Sequence, residues 1–165
     1  MIRTARLLLR QPHLSDLEFV CDLFGRAQMV AHRPDPTPED RETCTNRLLR
    51  DIGHWEQHGF GRWAVENDSE LIGFGGVTVS EHFTGLNLSY HVHPAFWGAG
   101  YATEVAGAAV NYAFDTLGAQ RVIGLAHPSN PASQRVLCRA GLRFERTTEL
   151  RGAEVALFAC SANVV

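Results

Sequence analysis

The stretch Tyr90-His91-Val92-His93-Pro94-Ala95-Phe96-Trp97-Gly98-Ala99-Gly100-Tyr101-Ala102-Thr103-Glu104 has the clearest capacity for chemistry in the chain. A strand ends near His93, a short loop with two close glycines follows, and a long helix begins. Such a loop can turn several backbone N–H groups toward one point. The helix start adds its unpaired N–H groups and its partial positive charge. Together they form a site for a pyrophosphate, and no lysine is needed. Gly98 and Gly100 have no Cβ to hold an anion away from the backbone. The plainer alternative is a strand–helix turn in which glycine only relieves strain.

These groups need a sheet and helices to hold them. Arg3 to Arg10 reads as a first strand, ended by Gln11-Pro12. Ser15 and Glu18 form an S-x-x-E box opening a helix whose apolar face is Leu17, Val20, Cys21 and Phe24. Thr37, with Pro38 at the first helical position, caps a second helix ended by Gly59 and Gly61. Strands are predicted from Arg62 to Glu66, Leu71 to Val79 and Asn87 to His93. The run Gly73-Phe74-Gly75-Gly76 faintly suggests a dinucleotide loop. No third glycine follows, and Val77-Thr78-Val79 continues as strand, so a closely packed antiparallel strand is the better reading. Ala102 to Leu117 keeps i, i+3, i+4 spacing, and Gly118 stops it. A short strand from Arg121 to Ala126 precedes a helix opened by Asn130-Pro131 and closed by Gly141. Two strands, near Leu142 to Glu149 and Glu154 to Cys160, complete the chain. The order predicts one mixed α/β, or α+β, domain over residues 1–165.

Composition removes other chemistries. The chain is 45% hydrophobic and 20% charged, enough for a real core. All 15 cationic side chains are Arg, and Lys is absent. That excludes Schiff-base lysine chemistry, pyridoxal enzymes included, and phosphate loops that depend on lysine. A net charge of -3 argues against a non-specific nucleic-acid binder. Cys21, Cys44, Cys138 and Cys160 form no CxxC pair, so they read as small core residues in a reducing cytosol. Leu7-Leu8-Leu9 is too short for a signal-peptide core, and no window approaches a membrane span. His91-x-His93 lacks a third ligand, so no metal is expected. The expectation is a cytoplasmic protein, monomer or homodimer, without nucleic-acid or membrane partners.

Trp97-Gly98-Ala99-Gly100-Tyr101-Ala102-Thr103-Glu104 resembles the acetyl-CoA-binding motif Q/R-x-x-G-x-G/A of the GNAT N-acetyltransferase superfamily. Its flanks are similar to the RimJ/RimL branch. A second block, Asn130-Pro131-Ala132-Ser133-Gln134-Arg135-Val136-Leu137 followed by Ala140-Gly141-Leu142-Arg143-Phe144, resembles that branch's N-x-x-S-x-x-V-L and glycine elements. The opening Thr4 to Arg10 resembles its first strand. The similarity runs over nearly the whole chain. Ala95 departs from the motif at the Q/R position, which leaves the pyrophosphate to backbone amides.

The resemblance implies a GNAT-like central sheet, mixed but mostly antiparallel, twisted, flanked by about four helices and splayed open at the acetyl-CoA site. The pyrophosphate would meet the N–H groups of Trp97, Gly98, Ala99, Gly100, Tyr101 and Ala102. The pantetheine arm would pair with the strand edge from Leu88 to His93, including Val92 and His93. Asn130 caps its helix and, by resemblance, also touches that arm. The backbone N–H near Val92 is favoured as oxyanion donor. Many family members place a Tyr seven residues after the position of Asn130 to protonate the sulfur; Leu137 stands there. Ser133, one turn into the helix, is the remaining candidate, against an ordinary first-turn serine. His91 is a candidate base or proton relay and His93 a weaker one, against packed or solvated histidines. Glu149 is a candidate carboxylate on the acceptor side, against an exposed strand-end charge. Glu104 is read as complementing the helix start. Ala27 to Thr37 and Glu81 to Asn87 are expected to line the acceptor side, with Met29, His32, His82 and Phe83 making a pocket that is not strongly acidic. The implied activity is acetyl transfer to a protein N-terminal or small-molecule amine. A non-catalytic acyl-CoA-binding or regulatory module is the alternative.

Overall fold

A computed structural model describes residues 1–163, and its framework is one sheet of eight strands. The strands are β1 (Ile2–Arg3), β2 (Leu8–Arg10), β3 (Arg62–Asn67), β4 (Glu70–Val79), β5 (Leu86–Val92), β6 (Arg121–Ala126), β7 (Arg143–Leu150) and β8 (Ala153–Ser161). They lie in the order β1-β2-β3-β4-β5-β6-β8-β7. Every neighbouring pair is antiparallel except β5 with β6, which are parallel. The helices are α1 (Leu17–Phe24), α2 (Ala27–Val30), α3 (Arg41–His58), α4 (Tyr101–Asn111) and α5 (Pro131–Arg139). The described residues hold five α-helices, in line with the about four expected; α2 is too short to show a period in the sequence.

Alternation along β3 sends neighbours to opposite faces of the sheet. Ala64 joins Phe74 and the α1–α3 residues Val20, Leu23, Phe24, Met29, Cys44 and Leu48. Trp63 and Val65 join the opposite core, with Val105, Ala106 and Ala109 of α4 and Leu137 of α5. Two glycines let the helices of this second face sit close. A Cβ at Gly75 would stand 2.6 Å from Val105 Cγ1, and one at Gly124 would stand 2.4 Å from Leu137 Cδ2. The glycine run in β4 is therefore packing surface, as the strand reading held.

Three local expectations shift. The first strand is broken into β1 and β2 by a turn in which Thr4 N–H donates to Leu7 O. The helix opening expected at Ser15 is a 3-10 turn over Leu14–Asp16, where Asp16 Oδ2 accepts from His13 N–H at 2.8 Å, and α1 follows. Thr37 does not cap α3. Its hydroxyl donates to Asp35 at 2.7 Å, and Asp40 is the cap, accepting from Thr43 N–H at 2.8 Å. Among the described residues, no helix is long and apolar enough to cross a membrane.

Candidate active site

The parallel pairing of β5 with β6 ends early. Leu86, Asn87 and Leu88 face Val122, Ile123 and Gly124, and no pair follows. Beyond that point the strands diverge, and a cavity of about 660 Å³ opens between them. Ser89, Tyr90, His91 and Val92 form one wall; Leu125, Ala126 and His127 begin the other. His93 N–H donates to Ile72 O of β4 at 2.8 Å. Backbone polar groups alternate sides along a strand, so the N–H and C=O of Val92 face the opening. The indole N–H of Trp97 occupies that carbonyl at 2.7 Å.

The glycine turn closes one end of the cavity. Gly98 and Gly100 have φ of 83° and 81°, a left-handed conformation that favours glycine. A Cβ at Gly98 would meet no atom within 4 Å, so the backbone there is open to a ligand. Gly100 is the N-cap of α4. The Trp97 N–H, expected to join the cradle, donates to Pro94 O at 3.2 Å because it closes the 3-10 turn over Pro94–Phe96. From Gly98 on, open approach and a helix N-terminus fit a pyrophosphate. Arg135 and Arg139 of α5 also line the cavity.

A distant segment holds this turn in place. Glu104, in the first turn of α4, accepts from Thr4 Oγ1 at 2.5 Å, from Arg6 N–H at 2.8 Å and from Arg6 Nε at 2.7 Å. Arg6 Nη1 donates to Ala99 O at 2.7 Å, and its guanidinium lies 4.4 Å from the centre of the Tyr101 ring. The Tyr101 hydroxyl accepts from Asn67 Nδ2 at 2.5 Å. Glu104 thus fastens the β1–β2 turn to the glycine turn, beyond its expected service to the helix start.

Val92, Trp97, Gly98, Gly100, Tyr101, Ala102, Asn130 and Ser133 all line the cavity. Ala99 and His93 do not. The Ala99 carbonyl is taken by Arg6. The His93 ring is buried; its Nδ1 accepts from Ala95 N–H at 3.1 Å and its Nε2 lies 2.9 Å from Asp22 Oδ2. It fastens the loop after β5 to α1.

Asn130 Oδ1 accepts from Ser133 N–H at 3.2 Å, so it caps α5 as expected. Ser133 has a partner that the sequence did not reveal. Tyr90 reaches across the opening, its hydroxyl 2.8 Å from Ser133 O and 3.0 Å from Ser133 Oγ. Burial pushes the Tyr90 hydroxyl up to about 12, against the Ser133 contact, so it stays protonated. The signal was present in the alternation Leu88, Tyr90, Val92 along β5, but the crossing to α5 is tertiary. Leu137 is buried against Gly124.

His91 lines the cavity with its ring edge-on to Phe24. Arg62 Nη2 lies 3.2 Å from His91 Nδ1. Guanidinium only donates, so Nδ1 accepts and the ring proton sits on Nε2. Burial, then Arg62, Arg47 and Arg33, push the pKa of His91 well below the ordinary histidine range. The ring is neutral and its one lone pair faces Arg62, which fits the packed histidine better than the candidate base or relay. Glu149 is exposed on β7 opposite Glu154 and does not line the cavity. Of the expected acceptor-side residues, Met29 and His32 line the cavity; His82 and Phe83 do not.

Comparison with known proteins agrees with this geometry. Residues 6–143 match the family described as acetyltransferase (GNAT) domain. The Bacillus subtilis protein named "Uncharacterized N-acetyltransferase YoaA" is 26% identical over 148 residues, covering 88% of this chain and 84% of its own length. The Aspergillus fumigatus FsC-acetyl coenzyme A-N(2)-transacetylase is 35% identical over 97 residues, 54% of this chain and 41% of that protein. An acetyltransferase structure from Agrobacterium tumefaciens has a TM-score of 0.85 at 24% identity, over 98% of this chain and 94% of that one. RimL, described as a ribosomal L7/L12 alpha-N-protein acetyltransferase in complex with coenzyme A, has a TM-score of 0.78 at 16% identity, over 96% and 95%. The family match spans the strand edge, the glycine turn and α5 together, and the chain belongs to the GNAT acetyltransferase family, an acyltransferase family.

Proposed function

We propose that the protein transfers the acetyl group of acetyl-CoA directly to a primary amine in a ternary complex. The amine is an α-amine, of a polypeptide N-terminus or of a small molecule. The observation that carries this reading is the sheet opening after Leu88 and Gly124, bordered by the Val92 N–H and by the N-terminus of α4. The amides from Gly98 to Ala102, with Arg135 and Arg139, would hold the pyrophosphate, and β5 beyond Leu88 would pair with the pantetheine arm by strand addition. Bound acetyl-CoA supplies the reactive thioester. The coenzyme A and the α-N-terminal acceptor named for RimL support this reading and the RimJ/RimL kinship.

Val92 N–H donates toward the thioester oxygen as that oxygen gains charge. Ser133 Oγ–H serves the departing sulfur. The Tyr90 hydroxyl gives its one proton to Ser133 O at 2.8 Å, so Ser133 Oγ–H rests against the Tyr90 oxygen at 3.0 Å and turns from it to meet the sulfur. His91 offers Nε2–H as a donor, not a base. The C–N bond forms as the C–S bond breaks, and the amine's proton leaves to water. The α-amine of a polypeptide or a carboxamide, with a pKa of about 8, needs little help to be neutral, whereas a lysine amine at about 10.4 needs a base. The four cysteines are free, which supports a reducing, cytoplasmic setting.

Thiol release with acetyl-CoA and an amine panel tests the reading. Peptides with free N-termini or small α-amino compounds should outpace N-blocked peptides carrying lysine. A protein that binds acetyl-CoA but releases no thiol with any amine is an acyl-CoA-binding module instead. Faster turnover of the lysine peptide overturns the α-amine assignment.

A further inference from the structure

The cavity wall holds three guanidiniums, Arg33, Arg135 and Arg139, and three imidazoles, His32, His91 and His127. Among the described residues no Asp or Glu lines it. Arg135 and Arg139 lie on α5 with Asn130 and Ser133, where the cofactor contacts are proposed. Arg33 lies elsewhere, in the turn after α2 beside Met29 and His32. That turn is fastened to the loop before α5. Ser129 Oγ donates to His32 O at 3.2 Å, and the His32 and His127 rings stand 5.3 Å apart.

The charge behind this wall does not balance. Glu39 accepts from Arg33 Nη1 at 2.9 Å and from Arg47 Nε and Nη2 at 3.1 and 2.5 Å. Two guanidiniums on one carboxylate leave one positive charge over, and Arg33 is the member that reaches the cavity. Arg62, behind His91, has Asp51 at 3.7 Å. The histidines register the excess. Burial comes first for each, and Arg33 also helps push His32, His91 and His127 below their ordinary range. Neutral imidazoles then add N–H donors without charge.

We propose that the acceptor amine carries a carboxylate near its reactive nitrogen, and that Arg33, flanked by His32 and His127, seats it. This rests on the reading that the cavity takes an amine. One uncompensated positive charge matches a monoanion, whereas a phosphomonoester carries nearly two negative charges. The planar guanidinium also fits a carboxylate. The same wall repels polycations: a polyamine or aminoglycoside would bring several positive charges to a wall without a carboxylate. A free amino acid fits better than a polypeptide N-terminus, whose adjacent carbonyl is a neutral amide.

The test compares α-amino acids with their own α-carboxamides, together with O-phosphoethanolamine and spermidine, by thiol release. The carboxamide has the more readily deprotonated amine, so the comparison is biased against the proposal. The acid should show kcat/KM at least tenfold above its carboxamide, about 1.4 kcal/mol. Arg33→Gln should abolish that preference by raising KM for the acid while KM for acetyl-CoA stays unchanged, and Arg33→Lys should keep part of it. If Arg33→Gln does not fold, the wild-type acid-to-carboxamide ratio decides alone. Equal or better turnover of carboxamides, phosphoethanolamine or spermidine overturns the proposal and leaves acetyl transfer standing. Acetyl-CoA binding without thiol release for any amine overturns both.

Discussion

Arg62 and His91 form a donor–acceptor pair at 3.2 Å that fixes the imidazole as a neutral Nε2–H tautomer. An ionisation seen in the rate between pH 7 and 9 then belongs to the acceptor amine. His91→Gln should leave the pH midpoint of kcat/KM in place, although the rate itself falls. A midpoint displaced by half a unit or more would return His91 to the role of base.

The same pair bears on stability. His91 has its pKa depressed by burial and by Arg62, so the folded protein binds fewer protons than the unfolded chain below pH about 6.5. Stability is full above that pH and declines as pH falls through the window. His32, His54 and His127 shift in the same direction, burial leading in each. For Asp16 and Glu39, burial opposes ionisation but the arginine partners outweigh it, so their loss comes below pH about 4. Melting temperatures should drop in two stages on acidification. His91→Gln should flatten the first stage; an identical curve for both proteins removes His91 from it.

Ser133→Ala should lower kcat about tenfold with little change in acetyl-CoA affinity. Tyr90→Phe removes the hydroxyl that orients Ser133 and should act in the same direction. In the double variant the second change should add little to the loss in kcat, because both remove the Tyr90–Ser133 Oγ contact, whereas the bond from Tyr90 to Ser133 O is lost only in Tyr90→Phe. Fully multiplicative effects would separate the two residues.

Gly100→Val places a β-branched residue at φ 81° beside the proposed pyrophosphate cradle. Acetyl-CoA affinity should fall at least tenfold, about 1.4 kcal/mol, in a protein that still folds. Calorimetry showing unchanged affinity would falsify the cradle.

Glu104→Gln weakens three contacts to Thr4 and Arg6. Loss of charge-assisted hydrogen bonds should destabilise the fold by about 1–3 kcal/mol. Because Arg6 also holds Ala99 O, acetyl-CoA binding should weaken as well. Denaturant titration and calorimetry on the same variant separate the two effects.

Elements fixed by local chemistry were legible in the sequence. Asn130-Pro131 and Gly141 bound α5 because a cap, a first-turn proline and a positive-φ glycine are local devices. The glycine turn was legible for the same reason, since Gly98 and Gly100 take their positive φ through their own backbone. What failed depended on long-range partners. The first strand breaks because Glu104, 98 residues from Arg6, captures its turn. Tyr90 was missed because Ser133 lies 43 residues away. The packed reading of His91, one of its two readings in the sequence, gains a partner from afar, because Arg62 on β3 meets its Nδ1.

The early end of the β5–β6 pairing gives this sheet four unpaired borders instead of two. Unpaired strand borders are where a second polypeptide chain adds and where aggregation begins. The two outer ones are blunted in different ways. β1 is two residues long, and β7 carries Arg143, Glu145, Arg146 and Glu149. The two inner ones lie recessed in the cleft beside α4 and α5, where a slender extended ligand has better access than another copy of the chain. The sheet thus keeps its long unpaired backbone inside the cleft, while the borders that face outward are short or charged.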